Sequence, residues 1–436
     1  MLLEELKWRG MLQDAMPGTA EHLAGAAPVS GYIGFDPTAA SLHIGNLASI
    51  MLLVHLQRAG HRPVALVGGA TGMIGDPSGK SAERNLLDED TLRTNQAGIG
   101  RQLQKFLDFN DSPTGAVLVN NYDWFKNFGY LEFLRDVGKH LTVNYMMAKD
   151  SVKRRVGGHE GSAEAGGAEG ISYTEFSYQL LQGYDFFHLY RALGCTLQMG
   201  GSDQWGNITT GTELIRRMGG PEAKAYALTG QLITKADGSK YGKSESGAVW
   251  LDPALTSPFQ FYQFFLNSAD ADVKKLIRVF TLLPQPEIER LEAAHAAAPH
   301  LRTLQKALAQ DVTTRVHSAA AAAAAIAASQ VLYGGGDLAA LDEATLLDVF
   351  AGTPRFEVPA ALVATTDVAT LLSEAVAGQL FTSKGEARKM VQNNGLKINR
   401  LKISDAQQPA AELPLLLGEY LVVQKGKNYA LLHVVA

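Results

Sequence analysis

A strand, a tight turn and a helix follow one another without a spacer near the start of this chain, and that succession restricts the fold more than any other stretch. The apolar run Tyr32-Ile33-Gly34-Phe35 passes through Asp36-Pro37 and the segment Thr38 to His43 into Ile44-Gly45-Asn46, then Leu47 to Val54. A short apolar run gives way to a longer helical pattern across an Asp-Pro turn, which reads as a strand feeding a helix. A helix N-terminus leaves backbone N–H groups unpaired and carries the positive end of the helix dipole, so an anion is favoured there. His43, expected in the first turn, adds a side-chain donor, and Gly45 leaves room for a flat ring to lie close to the helix backbone.

Further β-type runs, Val64-Ala65-Leu66-Val67 and Ala116-Val117-Leu118-Val119, alternate with helical patterns up to about residue 250. That alternation predicts a parallel, doubly wound α/β sheet of Rossmann type, whose ligands bind beyond the carboxyl ends of the strands. From about 257 to 330 the pattern is helical and includes the alanine-rich run Ala319 to Ala328, a strong helix former, with a linker to 350. Gly334-Gly335-Gly336 reads as a break, and residues 368–436 form a third, smaller segment. The expected domains are therefore 1–256, 257–350 and 368–436.

The chain has 436 residues, 46% of them hydrophobic, and a net charge of -5. No apolar run approaches a membrane span, and Met1 to Gly10 alternates apolar and charged residues as an amphipathic helix rather than a signal peptide. Cys195 is the single cysteine, which fits a reducing, cytoplasmic setting. No His/Cys cluster has the spacing of a zinc site.

Two lysine-bearing segments invite a phosphate reading. Gly75-Asp76-Pro77-Ser78-Gly79-Lys80-Ser81 is one residue short of a P-loop, and Pro77 removes an N–H that the phosphate cradle would use. Gly238 to Ser244 misses by the same residue. In Thr234 to Ser244, glycines and the lack of apolar periodicity predict a mobile loop carrying Lys235, Lys240 and Lys243. Lysines closing over departing pyrophosphate stabilise the charge that develops there more than the ground state.

Farther along, Tyr178, Gln182 and Asp185 stand at i, i+4 and i+7, on one face of a helix whose other residues include Phe176, Leu180, Leu181, Phe186 and Phe187. A carboxylate among such neighbours is either solvated or kept for recognition.

Gly34-Phe35-Asp36-Pro37-Thr38 with His43-Ile44-Gly45-Asn46 resembles the first signature of class I aminoacyl-tRNA synthetases, and Lys240-Tyr241-Gly242-Lys243-Ser244 resembles the second. Thr71 to Lys80, Asn120 to Trp124, Tyr173 to Phe186 and Gly200 to Asn207 narrow the likeness to the bacterial tyrosyl branch, from about residue 30 to the C-terminus. The resemblance implies ATP-dependent formation of tyrosyl-adenylate and transfer of the tyrosyl group to the terminal ribose of tRNA(Tyr). It implies that 257–350 is an α-helical anticodon-binding domain with its linker. It also implies magnesium arriving with ATP and held by phosphate oxygens, no protein metal site, and a homodimer.

By the same resemblance Tyr178, Gln182 and Asp76 hold the substrate's α-ammonium group, Asp185 and Tyr32 meet its phenolic hydroxyl, and Asn121 and Gln198 complete the tyrosine site. Gly34, Asp36, Gly45, Asn46, Gly201, Asp203, Gln204 and Leu232 line the ATP site. Thr38 and His43 contact the outer phosphates, with Lys80, Arg84, Lys240 and Lys243 supplying positive charge. Phenylalanine would leave the buried polar groups of Asp185 and Tyr32 without a partner, an expensive loss.

The stretch Phe381 to Lys402 carries Lys384, Arg388, Lys389, Lys397, Arg400 and Lys402 against Glu386 alone. Ser383 to Val391 predicts a short basic helix and Leu396 to Asn399 a strand, and the combination resembles an S4-type RNA-binding module, a small α+β domain. Its lysines would contact phosphates and position RNA rather than read it.

There are departures. Asn46 stands where a second histidine is common, and Tyr241-Gly242 replaces Met-Ser. The glycine-rich stretch 157–170 is longer than the usual connection and is expected to be a flexible loop. The rival readings are a tryptophanyl enzyme, which should lack the basic tail and the Tyr178/Gln182/Asp185 face, a small-molecule adenylyltransferase, which would be shorter, and an RNA-binding protein with a decayed site.

Overall fold

The computed structural model describes residues 2–25, 27–76, 88–150, 152–153, 171–236, 238–239, 241–244, 247–334, 336–374, 380–426 and 428–436. Lys80, Arg84, Lys240 and the glycine-rich stretch 157–170 lie outside them.

The first sheet is built from β1 (Leu12–Ala15), β2 (Ser30–Phe35), β3 (Arg62–Val67), β4 (Val117–Asn120), β5 (Cys195–Gly201) and β6 (Tyr226–Gly230). Their order is β1-β6-β5-β2-β3-β4, parallel throughout except for β1, which runs antiparallel to β6. β2 and β3 read as unbroken apolar runs because helices cover both faces of a parallel sheet. From β2 the chain moves to β3 through the helix Ile44–Arg58 and reaches β2's other neighbour, β5, after the helix Tyr173–Leu193. β2 therefore stands at the point where the strand order reverses, and a crevice opens beyond the carboxyl ends of β2 and β5. The helix Tyr173–Leu193 starts on Ser172, whose hydroxyl accepts from Glu175 N–H, and ends on Gly194 at φ 61°.

Downstream of that sheet, β7 (Lys243–Ser244) and β8 (Gly247–Ala248) pair as a short hairpin. Lys243–Ser244, the end of the segment expected as a loop, is thus in strand conformation. Tyr241 is buried against Phe264, Phe265 and Phe280, and its hydroxyl lies 3.2 Å from Ser268 Oγ.

The chain divides into two compact units, Met1–Thr256 with Phe264–Val316, and Ser257–Gln263 with His317–Ala436. The segment expected as one helical domain, 257–350, is thus shared between the units. Arg9 gives a physical reason within the first unit. It is 2% exposed and its guanidinium donates to the carbonyls of Arg278, Thr281 and Leu283, tying the N-terminal helix Leu2–Trp8 to the end of the helix Asp270–Phe280.

The second unit holds a sheet of β9 (Arg355–Pro359), β10 (Leu396–Ile398), β11 (Leu401–Lys402), β12 (Tyr420–Lys425) and β13 (Asn428–Val435), in the order β11-β10-β12-β13-β9. Leu396, Ile398, Leu421, Val423 and Leu432 form its core with Phe381, Ala387 and Val391. The alanine-rich run forms the helix Ala319–Gly334, and the expected basic helix is Lys384–Gln392, capped by Ser383. Asn399 and Arg400 take φ of 48° and 66°, the two-residue left-handed turn that suits a tight hairpin.

Candidate active site

A cavity of about 330 Å³ occupies the crevice at the ends of β2 and β5. Tyr32, Tyr178, Gln182, Asp185 and Gln198 line it together with Asp76, so the i, i+4, i+7 face of the helix Tyr173–Leu193 does turn toward a ligand-sized space. Gly34, Asp36, Thr38, His43, Gly45, Asn46, Gly201, Asp203, Gln204 and Leu232 line the same cavity.

Asp185 is 2% exposed. Its Oδ2 accepts from Asn121 Nδ2 and its Oδ1 from Trp124 Nε1, each at 3.0 Å. Burial pushes the carboxyl up to about 8, against the pull of these two donors toward the charged form. Nearby, the Tyr32 hydroxyl is buried with no hydrogen-bond partner among the described residues, and burial and then Asp185 raise its phenol well above the ordinary value. Gln182 Oε1 and Gln198 Oε1 are likewise buried and unpaired among the described residues. Native interiors rarely leave such atoms unpaired, and here three of them belong to side chains that line one cavity.

Asn121 is fully buried and sits behind the site rather than in its wall. Its side chain accepts from Ala70 N–H and donates to Thr71 Oγ1 and Asp185. Thr71 in turn donates to Asp36 Oδ1, whose other oxygen accepts from the Tyr178 hydroxyl, both at 2.7 Å. Asp76 accepts from Gln204 Nε2 at 2.8 Å and from Asn207 Nδ2 at 3.4 Å. Carboxylates at two depths are thereby fixed by amide and hydroxyl donors.

At the other end of the cavity His43 is the N-cap of the helix Ile44–Arg58, one residue before the first turn where it was expected. Its Nδ1 accepts from Gly45 N–H at 3.0 Å, while Asn46 Oδ1 accepts from His43 N–H at 3.1 Å. The side chain thus acts as an acceptor through Nδ1, and in the neutral ring this leaves the proton, and so the donor, on Nε2. The ring lying against Gly45 is His43's own: a β-carbon there would stand 2.7 Å from His43 Cε1.

The second signature meets the first. Gly242, at φ 99°, lies so near the helix start that a β-carbon on it would be 3.1 Å from Gly45 N. Ile44 N–H donates to Val249 O and Leu251 N–H to Leu42 O, sealing the contact by backbone pairing. Lys243 contributes its backbone to β7.

In the second unit Arg388, Lys389, Lys397 and Lys402 are exposed, and Lys397 and Lys402 are cross-strand partners. Lys384 pairs with Glu374 at 2.9 Å. Arg400 is half-buried and its guanidinium donates to Gly336 O and Leu332 O, both at 2.7 Å.

Sequence reasoning missed Trp124 and Thr71 as members of the network. The signal for Trp124 was its i+3 spacing from Asn121, which brings both side chains to one side of the short helix Tyr122–Phe125. Thr71 carried no signal of its own.

Residues 25–334 match the model of tRNA synthetases class I (W and Y), and residues 346–432 that of the tyrosine–tRNA ligase SYY-like C-terminal domain. The tyrosine–tRNA ligase of Cytophaga hutchinsonii is 60% identical over 435 residues, spanning 99% of this chain and 98% of that protein. That of Porphyromonas gingivalis (strain ATCC BAA-308 / W83) is 59% identical over 431 residues, 98% and 97% of the two chains. Among solved structures, a C-terminally truncated mitochondrial tyrosyl-tRNA synthetase from Coccidioides posadasii shares 32% identity and a TM-score of 0.64, over 74% of this chain and 90% of that one. A tryptophanyl-tRNA synthetase from Encephalitozoon cuniculi, at 13% identity and a TM-score of 0.51, shares the fold alone. The chain belongs to the class I tRNA synthetases and, among them, to the tyrosine–tRNA ligases.

Proposed function

We propose that this aminoacyl-tRNA ligase recognises L-tyrosine through Tyr32 and Asp185 at the phenolic hydroxyl and through Tyr178, Gln182 and Asp76 at the α-ammonium group. The observation that carries this is the buried, unpaired Tyr32 hydroxyl near an Asp185 carboxylate held by Asn121 and Trp124. A phenol reaching both gives Tyr32 a partner and donates to Asp185, and no other proteinogenic side chain of that length does so. Asn121 acts by orienting Asp185.

The tyrosine carboxylate then attacks the α-phosphorus of ATP in line, with pyrophosphate leaving, and no protein side chain becomes a covalent nucleophile. Gly34, Gly45, Gly201, Asp203, Gln204 and Leu232 border the nucleotide, and Thr38 and His43 meet the outer phosphates. Lys80, Arg84, Lys240 and Lys243 supply charge for the departing pyrophosphate. Magnesium enters as part of the ATP substrate. Its ligands would be mostly the phosphate oxygens.

The adenylate passes its tyrosyl group to tRNA(Tyr), which the exposed Lys384, Arg388, Lys389, Lys397 and Lys402 hold by its phosphates. Two copies pair through Tyr130, Leu131, Val143 and Tyr173, large side chains each at least 62% exposed, with Tyr130 and Tyr173 3.3 Å apart at their hydroxyls. None of the described helices is long and apolar enough to cross a membrane. The cytoplasm, where tRNA(Tyr), tyrosine and ATP meet, is the compartment that suits the proposed reaction.

Amino-acid-dependent exchange of labelled pyrophosphate into ATP tests the first step. Exchange is expected with tyrosine. A response to tryptophan alone, or to no amino acid, refutes the assignment.

A further inference from the structure

The segment between β2 and the helix Ile44–Arg58 has no regular structure, so its backbone polar groups need partners from elsewhere. One face of the helix Glu89–Leu103 supplies them. Asn95, Gly98 and Gln102 stand at i, i+3 and i+7, and Asn95 and Gln102 are 5% and 7% exposed. Asn95 Nδ2 donates to Pro37 O at 3.0 Å. Gln102 Oε1 accepts from Leu42 N–H and its Nε2 donates to Ser41 Oγ, each at 2.8 Å. Between them Gly98 takes the Ala40 carbonyl so closely that a β-carbon would lie 2.2 Å from its oxygen. Ser41 Oγ also accepts from Asp252 N–H at 3.1 Å, on the segment that follows the second signature.

We propose that Asn95, Gly98 and Gln102 are positioning residues for tyrosine activation: a template that holds the backbone from Pro37 to Leu42 and so sets where Thr38 and His43 meet the outer phosphates of ATP. The inference rests on the phosphate role given above to Thr38. Polar side chains and a glycine on the buried face of an otherwise apolar-faced helix weaken packing, and their contacts here go to one short segment, to its backbone at Pro37, Ala40 and Leu42 and to the Ser41 hydroxyl. Small misplacement of a binding group costs a large factor in rate, so a template two bonds removed from substrate still acts on kcat.

A double-mutant cycle tests it. Asn95→Ala and Gln102→Leu should each lower kcat for ATP–pyrophosphate exchange about tenfold or more while the tyrosine dissociation constant, read by intrinsic fluorescence, stays within about twofold. Gly98→Ala should be the most damaging, and the two other variants keep the test valid if it fails to fold. In a Thr38→Ala background the effect of Asn95→Ala should shrink to less than about threefold, because the group it positions is gone. If Thr38→Ala lowers exchange and the two effects multiply in full, the template is wrong while the phosphate site stands. If Thr38→Ala is silent, the phosphate role of Thr38 fails and the template with it.

Discussion

Gly242 stands against Gly45, its missing side chain letting the second signature close to van der Waals distance of the helix start in the first. A β-carbon at 242 would be 3.1 Å from Gly45 N, and φ of 99° is a conformation that L side chains rarely adopt. Gly242→Ala should therefore shift the neighbouring lysine-bearing backbone away from the phosphates. Expected is a fall in kcat for pyrophosphate exchange of about tenfold or more, with tyrosine affinity unchanged; an equal loss of tyrosine binding would show that the strain spreads to the whole cavity.

Trp124 controls the charge on Asp185. Burial raises the carboxyl to about 8, and the indole N–H is one of two donors pulling it down. On the proposed reading Asp185 accepts from the substrate's phenol, best when ionised, so tyrosine should bind more tightly as pH rises through that value. Trp124→Phe keeps an aromatic ring on His188, which Trp124 stacks at 4.3 Å, and removes only the donor. The midpoint of the pH dependence of tyrosine affinity should move to higher pH. A move to lower pH would contradict the arrangement.

Much of this site is legible in the sequence, and the rest fails for identifiable reasons. The i, i+4, i+7 spacing of Tyr178, Gln182 and Asp185 is a property of any helix, so the face they share follows from numbering alone. β3 and β4 lie where the apolar runs put them. What local pattern does not encode is which side chain turns inward to hold another. Asn121 looks like a cavity residue beside Tyr122-Asp123-Trp124 but is used from behind. That His43 caps its helix through Nδ1, leaving only Nε2 to donate, is seen once the backbone N–H of Gly45 is found on it. Arg400 is one basic residue among six in charge terms, yet a left-handed hairpin turn aims it at Leu332 O, in the last turn of a helix, and at Gly336 O just past its end. Likewise the break at 257 follows composition, whereas the compact units follow long-range bonds such as those of Arg9.

On the proposed reading, the Tyr32 hydroxyl separates tyrosine from phenylalanine with a single atom. Tyr32→Phe removes the buried hydroxyl that is unpaired in the protein alone, which relieves the free enzyme and removes one bond from the complex. Tyrosine affinity should fall by about 1 kcal/mol, roughly fivefold, and phenylalanine should be excluded less strictly. Steady-state exchange with both amino acids measures this. An unchanged ratio of the two kcat/KM values would remove Tyr32 from the recognition of the hydroxyl.

Arg9 is a stability determinant remote from the chemistry. Replacing it with methionine keeps much of the packing volume but leaves the carbonyls of Arg278, Thr281 and Leu283 without their buried donor. Each charged hydrogen bond contributes on the order of 1.5–3 kcal/mol, and leaving acceptors unpaired adds a penalty. Arg9→Met should lower the unfolding midpoint in urea by an amount equivalent to about 3 kcal/mol or more, with pyrophosphate exchange retained below that midpoint. A change under about 0.5 kcal/mol would mean that water replaces the guanidinium freely.

Arg400 and Lys397 sit on one hairpin but should respond differently to salt. Lys397 is exposed opposite Lys402, a pairing of like charges that a phosphate would relieve. Arg400 spends both terminal nitrogens on Gly336 O and Leu332 O, completing the helix C-terminus with a cation where the dipole favours one. Each phosphate contact adds about 0.7–0.9 to the slope of log K against log salt concentration. Lys397→Ala should therefore lower that slope for tRNA binding by roughly this amount. Arg400→Ala should weaken tRNA binding by loosening the hairpin while leaving the slope unchanged; a loss of slope equal to that of Lys397→Ala would return Arg400 to the phosphate-binding set.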